Sequence, residues 1–190
     1  MNGDDDVKNI MESLAILFTA GFIIISVAYR VTELAIRLPV AITLGTFSYH
    51  FLMRLIVGYG IDAVYHNRMN YHRKWFQHRK WEKEFYKKLK VKSWKDKMPS
   101  YDADTFSFEL HSMEEIAMAM CQSEVVHEII VVLSFVPLIF SVWFESFGVF
   151  LITSILAAGF DMIFVVIQRY NRPRLLKILD KSECTRTSFK

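Results

Sequence analysis

The sequence predicts an all-α polytopic integral membrane protein. Four transmembrane helices form two hairpins, with a basic amphipathic interfacial helix between them, in a single membrane domain over 1–190. Three observations predict this. Of 190 residues, 53% are hydrophobic, and they cluster into four runs rather than spreading along the chain. Runs of about 20 apolar residues are long enough for a hydrocarbon core of about 30 Å. Half of the basic residues, 12 of 23, fall in one block, His66 to Pro99, between the second and third runs.

The first run covers 10–28, and Arg30, Glu33 and Arg37 follow it at helical spacing as a short interfacial connection. The acidic start MNGDDDVKN does not read as a signal peptide, which opens with basic residues. Pro39 suits the first turn of the next helix, because a first-turn N–H has no helical partner to lose. The second span covers 40–59, with Gly58 and Gly60 marking a frayed end. It carries His50 and Arg54, four residues apart on one side.

The block 66–99 interleaves its cations with Trp75, Trp81, Trp94, Tyr71, Phe76, Phe85 and Tyr86. Read as one helix from Trp75 to Leu89, it puts Trp75, Trp81, Phe85, Tyr86 and Leu89 on a broad face and most lysines opposite. Such a helix lies in the membrane interface, where each cation near anionic lipid is worth roughly 1 kcal/mol. Nucleic acid is the rival partner for basic-aromatic sequence, and the apolar flanks argue against it.

A loop over 99–107 leads to Ser112 and Glu115, which fit the S-x-x-E capping box at a helix start. That helix passes Glu124 and His127 into the third span, 125–144, where Pro137 predicts a kink. Glu145 and Ser146 make a tight turn, and the fourth span, 147–167, is interrupted only by Asp161. It exits into Gln168-Arg-Tyr-Asn-Arg-Pro-Arg174, and the polar tail 181–190 reads as loose. Lys and Arg favour the cytoplasmic side, so the basic block and the 169–177 cluster put both termini and residues 66–124 in the cytoplasm.

That topology gathers Glu124 and His127, Gln168, Arg169, Asn171 and Arg172, and Lys92, Trp94, Lys95 and Asp96 at one edge of the membrane. Glu124 and His127, three apart on a helix, point the same way, so the carboxylate can orient the imidazole as a general base. Arg54 and Asp161 are intramembrane charges that are costly unless paired, and an ion pair between them, with His50 one turn deeper, is the expectation. No metal site is expected. His66, His72 and His78 are six apart and share no helical face, and Val131 spoils an H-E-x-x-H at His127–Glu128. Cys121 and Cys184 fit no metal or disulfide framework.

The run Gln168 to Leu175 after an apolar span resembles the C-terminal signature of the glycosyl-4,4'-diaponeurosporenoate acyltransferase family. Trp81-Glu82, Tyr86, Val91-Lys92-Ser93-Trp94-Lys95-Asp96 and Pro99 resemble its central segment, and Glu124-x-x-His127 matches its E-x-x-H in order and spacing. The similarity covers roughly 75–176. The run before Glu124, Ala119-Met120-Cys121-Gln122-Ser123, departs from the Glu-Thr-basic pattern of that family. The resemblance implies a small enzyme of a bacterial cell membrane. It would esterify a sugar hydroxyl on a glycosylated carotenoid acid, drawing on acyl-CoA or acyl carrier protein, with no bound cofactor.

In that reading His127 is the base and Glu124 its orienter. Arg169, Arg172 and Lys95 bind donor phosphates or the developing oxyanion. Asn171, Gln168 and Asp96 position groups, and Trp94 and Tyr170 line the path from lipid. Membrane lipids and an amphiphilic acceptor are the expected partners, and homo-oligomerisation is left open. The alternative is a non-enzymatic membrane adaptor that binds anionic lipid or a partner through 66–99.

Overall fold

The computed structural model describes residues 3–95, 98 and 104–188, with side chains described for 7–95, 98 and 104–182. Asp96 and most of the loop 99–107 lie outside them. The helices are α1 Gly3–Thr32, α2 Arg37–Tyr65, α3 Lys80–Lys88, α4 Val91–Trp94, α5 Met113–Leu133, α6 Ser141–Phe144 and α7 Phe147–Ser188, with no strand among the described residues. Four segments are long and apolar enough to cross a membrane: Val7–Thr32, Arg37–Tyr65, Met113–Phe144 and Phe147–Ser182. Each contains one expected span and outruns it, because an established helix propagates cheaply into adjoining polar residues.

Contacts divide the chain into two compact units, Met1–Tyr59 with Ile129–Phe160 and Gly60–Glu128 with Asp161–Lys190. In the first, α1 and α2 are joined at residues 33–36, where Glu33 takes a left-handed conformation (φ 52°). The Arg37 guanidinium donates to the Ala28 carbonyl at 2.9 Å and to the Thr32 hydroxyl, satisfying the end of α1. Phe18 stacks on Phe47 and Phe51 at 5.1 and 5.5 Å, and the Thr19 and Ser48 hydroxyls meet at 2.6 Å. A Cβ on Gly45 would stand 3.0 Å from the Phe22 ring, so a larger residue there makes that ring give by a few tenths of an ångström.

Pro137 does more than kink its span. Helix α5 stops at Leu133 and the chain continues as a 3-10 turn, Val136–Phe140, before α6. The Tyr49 hydroxyl donates to the Leu133 carbonyl at 2.9 Å, satisfying an acceptor that the broken helix leaves open. Glu145, at φ 50°, turns the chain into α7. Arg54 donates to the carbonyls of His50 at 3.0 Å and Ala157 at 3.3 Å. His50 is buried.

In the second unit the capping box forms as expected. The Ser112 N–H and hydroxyl both donate to Glu115 Oε2 at 2.8 Å, and the Glu115 N–H returns to Ser112 Oγ at 3.3 Å. Gly58 and Gly60 do not fray α2. The helix runs on to Tyr65, where Gln122 donates to Asp62 at 3.0 Å and Ile61 packs on Met69, Phe76 and Cys121. The expected loose tail also differs, since α7 continues through Pro173 to Ser188. Proline leaves the Arg169 carbonyl without its helical donor. Helix contacts on both sides, through Arg172 and buried Leu175, hold the geometry.

The basic block departs most from expectation. It is not one helix from Trp75 to Leu89. Lys74–Phe76 form a 3-10 turn, α3 starts at Lys80, and Lys90 (φ 50°) separates it from α4. The carbonyls of Trp75 and Phe76, which a continuous helix would use, instead accept from Arg169 and Arg172 of α7. Charged donors make the stronger bonds, so tertiary contacts override the helical pattern. The inward face of α3 is Glu82 and Tyr86, whereas Trp81 (58% exposed), Phe85 (43%) and Leu89 (42%) face outward.

Candidate functional site

Arg169 and Arg172 stand three residues apart on α7, so both reach the same side. Opposite them is Glu124 of α5, fully buried, whose two oxygens divide between them. Arg169 Nη1 donates to Glu124 Oε1 at 2.6 Å, and Arg172 Nη1 donates to Glu124 Oε2. Arg169 also turns its Nε and Nη2 to Glu82 Oε1 of α3, at 3.0 and 2.6 Å. Its Nη1 reaches the Trp75 carbonyl at 3.3 Å, while Arg172 Nη2 reaches the Phe76 carbonyl at 2.8 Å. The Arg172 guanidinium lies 5.0 Å from the Phe76 ring centre.

Two carboxylates and two guanidiniums thus form a neutral, buried tetrad. Burying a charge is expensive, and only near-complete pairing offsets it. One oxygen, Glu82 Oε2, has no hydrogen bond among the described residues, and His78 Nε2 stands 3.9 Å from it. Tyr86 packs beside Glu82, edge-on to Tyr170 at 5.9 Å. Burial first, and then the Glu82 carboxylate, pushes the Tyr86 phenol up to about 12, so it stays protonated at physiological pH.

His127 has a different carboxylate from the one expected. Its Nδ1 lies 3.0 Å from Asp161 Oδ1, and its ring stacks on Phe164 at 4.7 Å. Glu124, with both oxygens engaged by arginine, is not its orienter. The i,i+3 spacing put Glu124 and His127 on one side of α5, but guanidiniums compete for a buried carboxylate more strongly than a neutral imidazole does. The His127 side chain is 21% exposed, and its Nε2 has no protein partner among the described residues. In the tautomer with its proton on Nδ1, the ring donates to Asp161 and Nε2 is the acceptor nitrogen.

The other expected site residues divide. Gln168 is buried and donates to the Ser123 hydroxyl at 3.1 Å, behind the tetrad. Asn171 is half-buried, with no side-chain hydrogen bond among the described residues. Lys95 follows α4. Trp94 donates its indole N–H to the Leu89 carbonyl at 2.9 Å and packs with Tyr86, Val91 and Tyr170. Tyr170 is therefore a core residue covered by the Arg174 guanidinium at 3.5 Å, not a lining of a path from lipid. Arg172 is 1% exposed and cannot present a face to a donor phosphate, since its charge is spent inside the protein.

Sequence reasoning missed Glu82 as a tetrad member and Asp161 as the partner of His127. A signal existed for the first: Glu82 is one of three acids among twelve bases, four residues before Tyr86 on what became the buried face. For Asp161 the signal was the lone charge in an apolar run, but helical spacing cannot choose its partner. Among the described residues no group of three His, Cys, Asp or Glu side chains is placed to hold a metal.

A mainly helical chain with four membrane-spanning segments, a buried carboxylate–guanidinium tetrad and an Asp–His dyad defines a polytopic membrane protein with a built polar centre. The profile of the glycosyl-4,4'-diaponeurosporenoate acyltransferase family matches residues 72–181, and the chain belongs to that family. Membership makes it an acyltransferase of carotenoid-related synthesis. No curated protein and no solved structure matches it. The matched stretch includes every residue of the tetrad and the dyad.

Proposed function

We propose that the protein is an O-acyltransferase that moves a fatty acyl group from an acyl thioester to a hydroxyl of a lipid-linked or glycosylated acceptor. The observation that carries this reading is the His127–Asp161 contact at 3.0 Å, which leaves Nε2 open on a partly exposed ring. His127 Nε2 takes the proton as the acceptor oxygen attacks the thioester carbonyl. The tetrahedral intermediate then expels the thiolate, and the imidazolium returns the proton to it. Asp161 holds the ring and stabilises its charged form, as the third group of a triad does.

The tetrad works at one remove in this scheme. By binding the carbonyls of Trp75 and Phe76 it fixes the segment after α2 against α5 and α7, and Glu124 is its hub. Acyl-CoA or acyl carrier protein delivers the donor from the cytoplasmic side, to which the positive-inside rule assigns residues 66–124. The outward Trp81, Phe85 and Leu89 with flanking lysines suit the lipid interface, through which an amphiphilic acceptor arrives.

The test is purified protein in lipid nanodiscs, incubated with labelled acyl-CoA and a glycolipid acceptor. Label moves to the acceptor with the wild type and not with His127→Ala, which keeps its helical content. Transfer at the wild-type rate by His127→Ala overturns the mechanism. Lipid-dependent binding with no transfer by the wild type favours an adaptor acting through the exposed face of α3.

A further inference from the structure

Attack on a thioester puts negative charge on the carbonyl oxygen, which needs a hydrogen-bond donor. The two arginines nearest the base in sequence are already engaged, with Glu82, Glu124 and the carbonyls of Trp75 and Phe76. Another donor stands on the face of α5 that carries the base. Ser123 is one turn before His127 and is half-buried. Helical side chains lean back over the preceding turn, so the imidazole leans toward Ser123. Opposite, within the same unit, Asp161, Phe164 and Gln168 recur at three- and four-residue spacing along α7. Asp161 and Phe164 hold His127, and buried Gln168 donates from Nε2 to Ser123 Oγ at 3.1 Å.

The direction of that last bond matters. A hydroxyl inside a helix commonly donates to the carbonyl four residues earlier. Thr46, Ser134 and Thr153 do so here, each at 2.8 Å. Ser123 donates to no group among the described residues and instead accepts from Gln168. Its hydroxyl is therefore oriented through a lone pair, and its proton is left to give. A serine hydroxyl fixed before the reaction can serve as an oxyanion donor.

We infer that Ser123 is the oxyanion donor of the transfer, with Gln168 as its positioning residue. The inference rests on the acyl-transfer reading. As the acceptor oxygen bonds to the thioester carbon, the carbonyl π pair moves onto its own oxygen. The Ser123 O–H bonds that oxygen and keeps its proton. When the C–S bond breaks, the pair returns to the C=O, and the thiolate takes the proton held on His127. Ser123 forms no covalent bond to the acyl group.

The test compares the full chain and its variants in nanodiscs with palmitoyl-CoA and monoglucosyl diacylglycerol, with rates per folded molecule. Ser123→Ala is expected to lower kcat by about 100- to 1,000-fold, the worth of one oxyanion donor, with KM for palmitoyl-CoA and the unfolding transition unchanged. Ser123→Thr, which keeps the hydroxyl, recovers most of the rate. Gln168→Met fills the same space without an N–H and lowers kcat by less than Ser123→Ala, again at constant KM. Wild-type kcat in Ser123→Ala, a raised KM with kcat kept, or a palmitoyl ester on Ser123 in the intact mass overturns the assignment and leaves acyl transfer standing. Absence of thioester cleavage by the wild type, to glycolipid or to water, overturns the acyl-transfer reading and this inference with it.

Discussion

Two polar assemblies of the second unit share α5 and α7 yet are built for opposite ends. In the tetrad of Glu82, Glu124, Arg169 and Arg172, each guanidinium binds carboxylate and backbone carbonyl together, and three of the four residues are at most 1% exposed. In the dyad of His127 and Asp161, one ring nitrogen is held and the other is left open on a side chain that is 21% exposed. A saturated cluster has nothing left to give a substrate, and a half-satisfied one does. Sequence position makes Glu124 and His127 look like one device, but they belong to two.

If the division is right, the two assemblies fail differently when broken. Glu124→Ala leaves buried Arg172 without its carboxylate and Arg169 with Glu82 alone, and is expected to cost about 3–5 kcal/mol of stability. Thermal unfolding in detergent reads this, and activity falls only with the folded fraction. The double variant Glu124→Leu/Arg172→Leu recovers part of the loss, because it removes a buried pair rather than one partner. His127→Ala is expected to leave the unfolding transition in place and lower the transfer rate by roughly 10²–10⁴-fold, the usual worth of a general base. An unfolding shift as large as that of Glu124→Ala would make His127 a structural residue and erase the contrast.

Smaller effects sharpen it. Glu82→Gln keeps the shape and removes one charge from the pairing with Arg169, so a loss of about 1–3 kcal/mol in unfolding free energy is expected. The Trp75–Phe76 turn should loosen with it, seen as faster amide exchange over 72–79. Ser112→Ala removes the cap of α5 and is expected to cost about 1 kcal/mol with no change in rate per folded molecule. A rate effect there would tie the start of α5 to the site.

Much of the fold is legible in the sequence because local rules set it. The four spans follow from run length, the break at Pro137 from a missing N–H, and the capping box from Ser112 and Glu115 three residues apart. The convergence of Glu124, Arg169 and Arg172 is also legible, since topology brings their segments to one side. Their partners were not: the arginines read as ligands for donor phosphates or the developing oxyanion, and the structure pairs them with Glu82 and Glu124. The helix expected over Trp75–Leu89 fails for the same reason, because its carbonyls are claimed by arginines 94 and 96 residues further along the chain.

By itself the sequence determines that this chain is helical, that it has four segments able to cross a membrane, and that its charges collect between the second and third of them. Hydrophobic run length and capping act over a few residues, so the order of residues suffices to read them. Only the tertiary structure decides that Asp161 rather than Glu124 serves His127, and that Glu82 joins the arginines. Those pairings span 34 to 87 residues of chain. They are chosen by which helix faces meet and by which donor binds a buried carboxylate most strongly, and neither is written in local spacing.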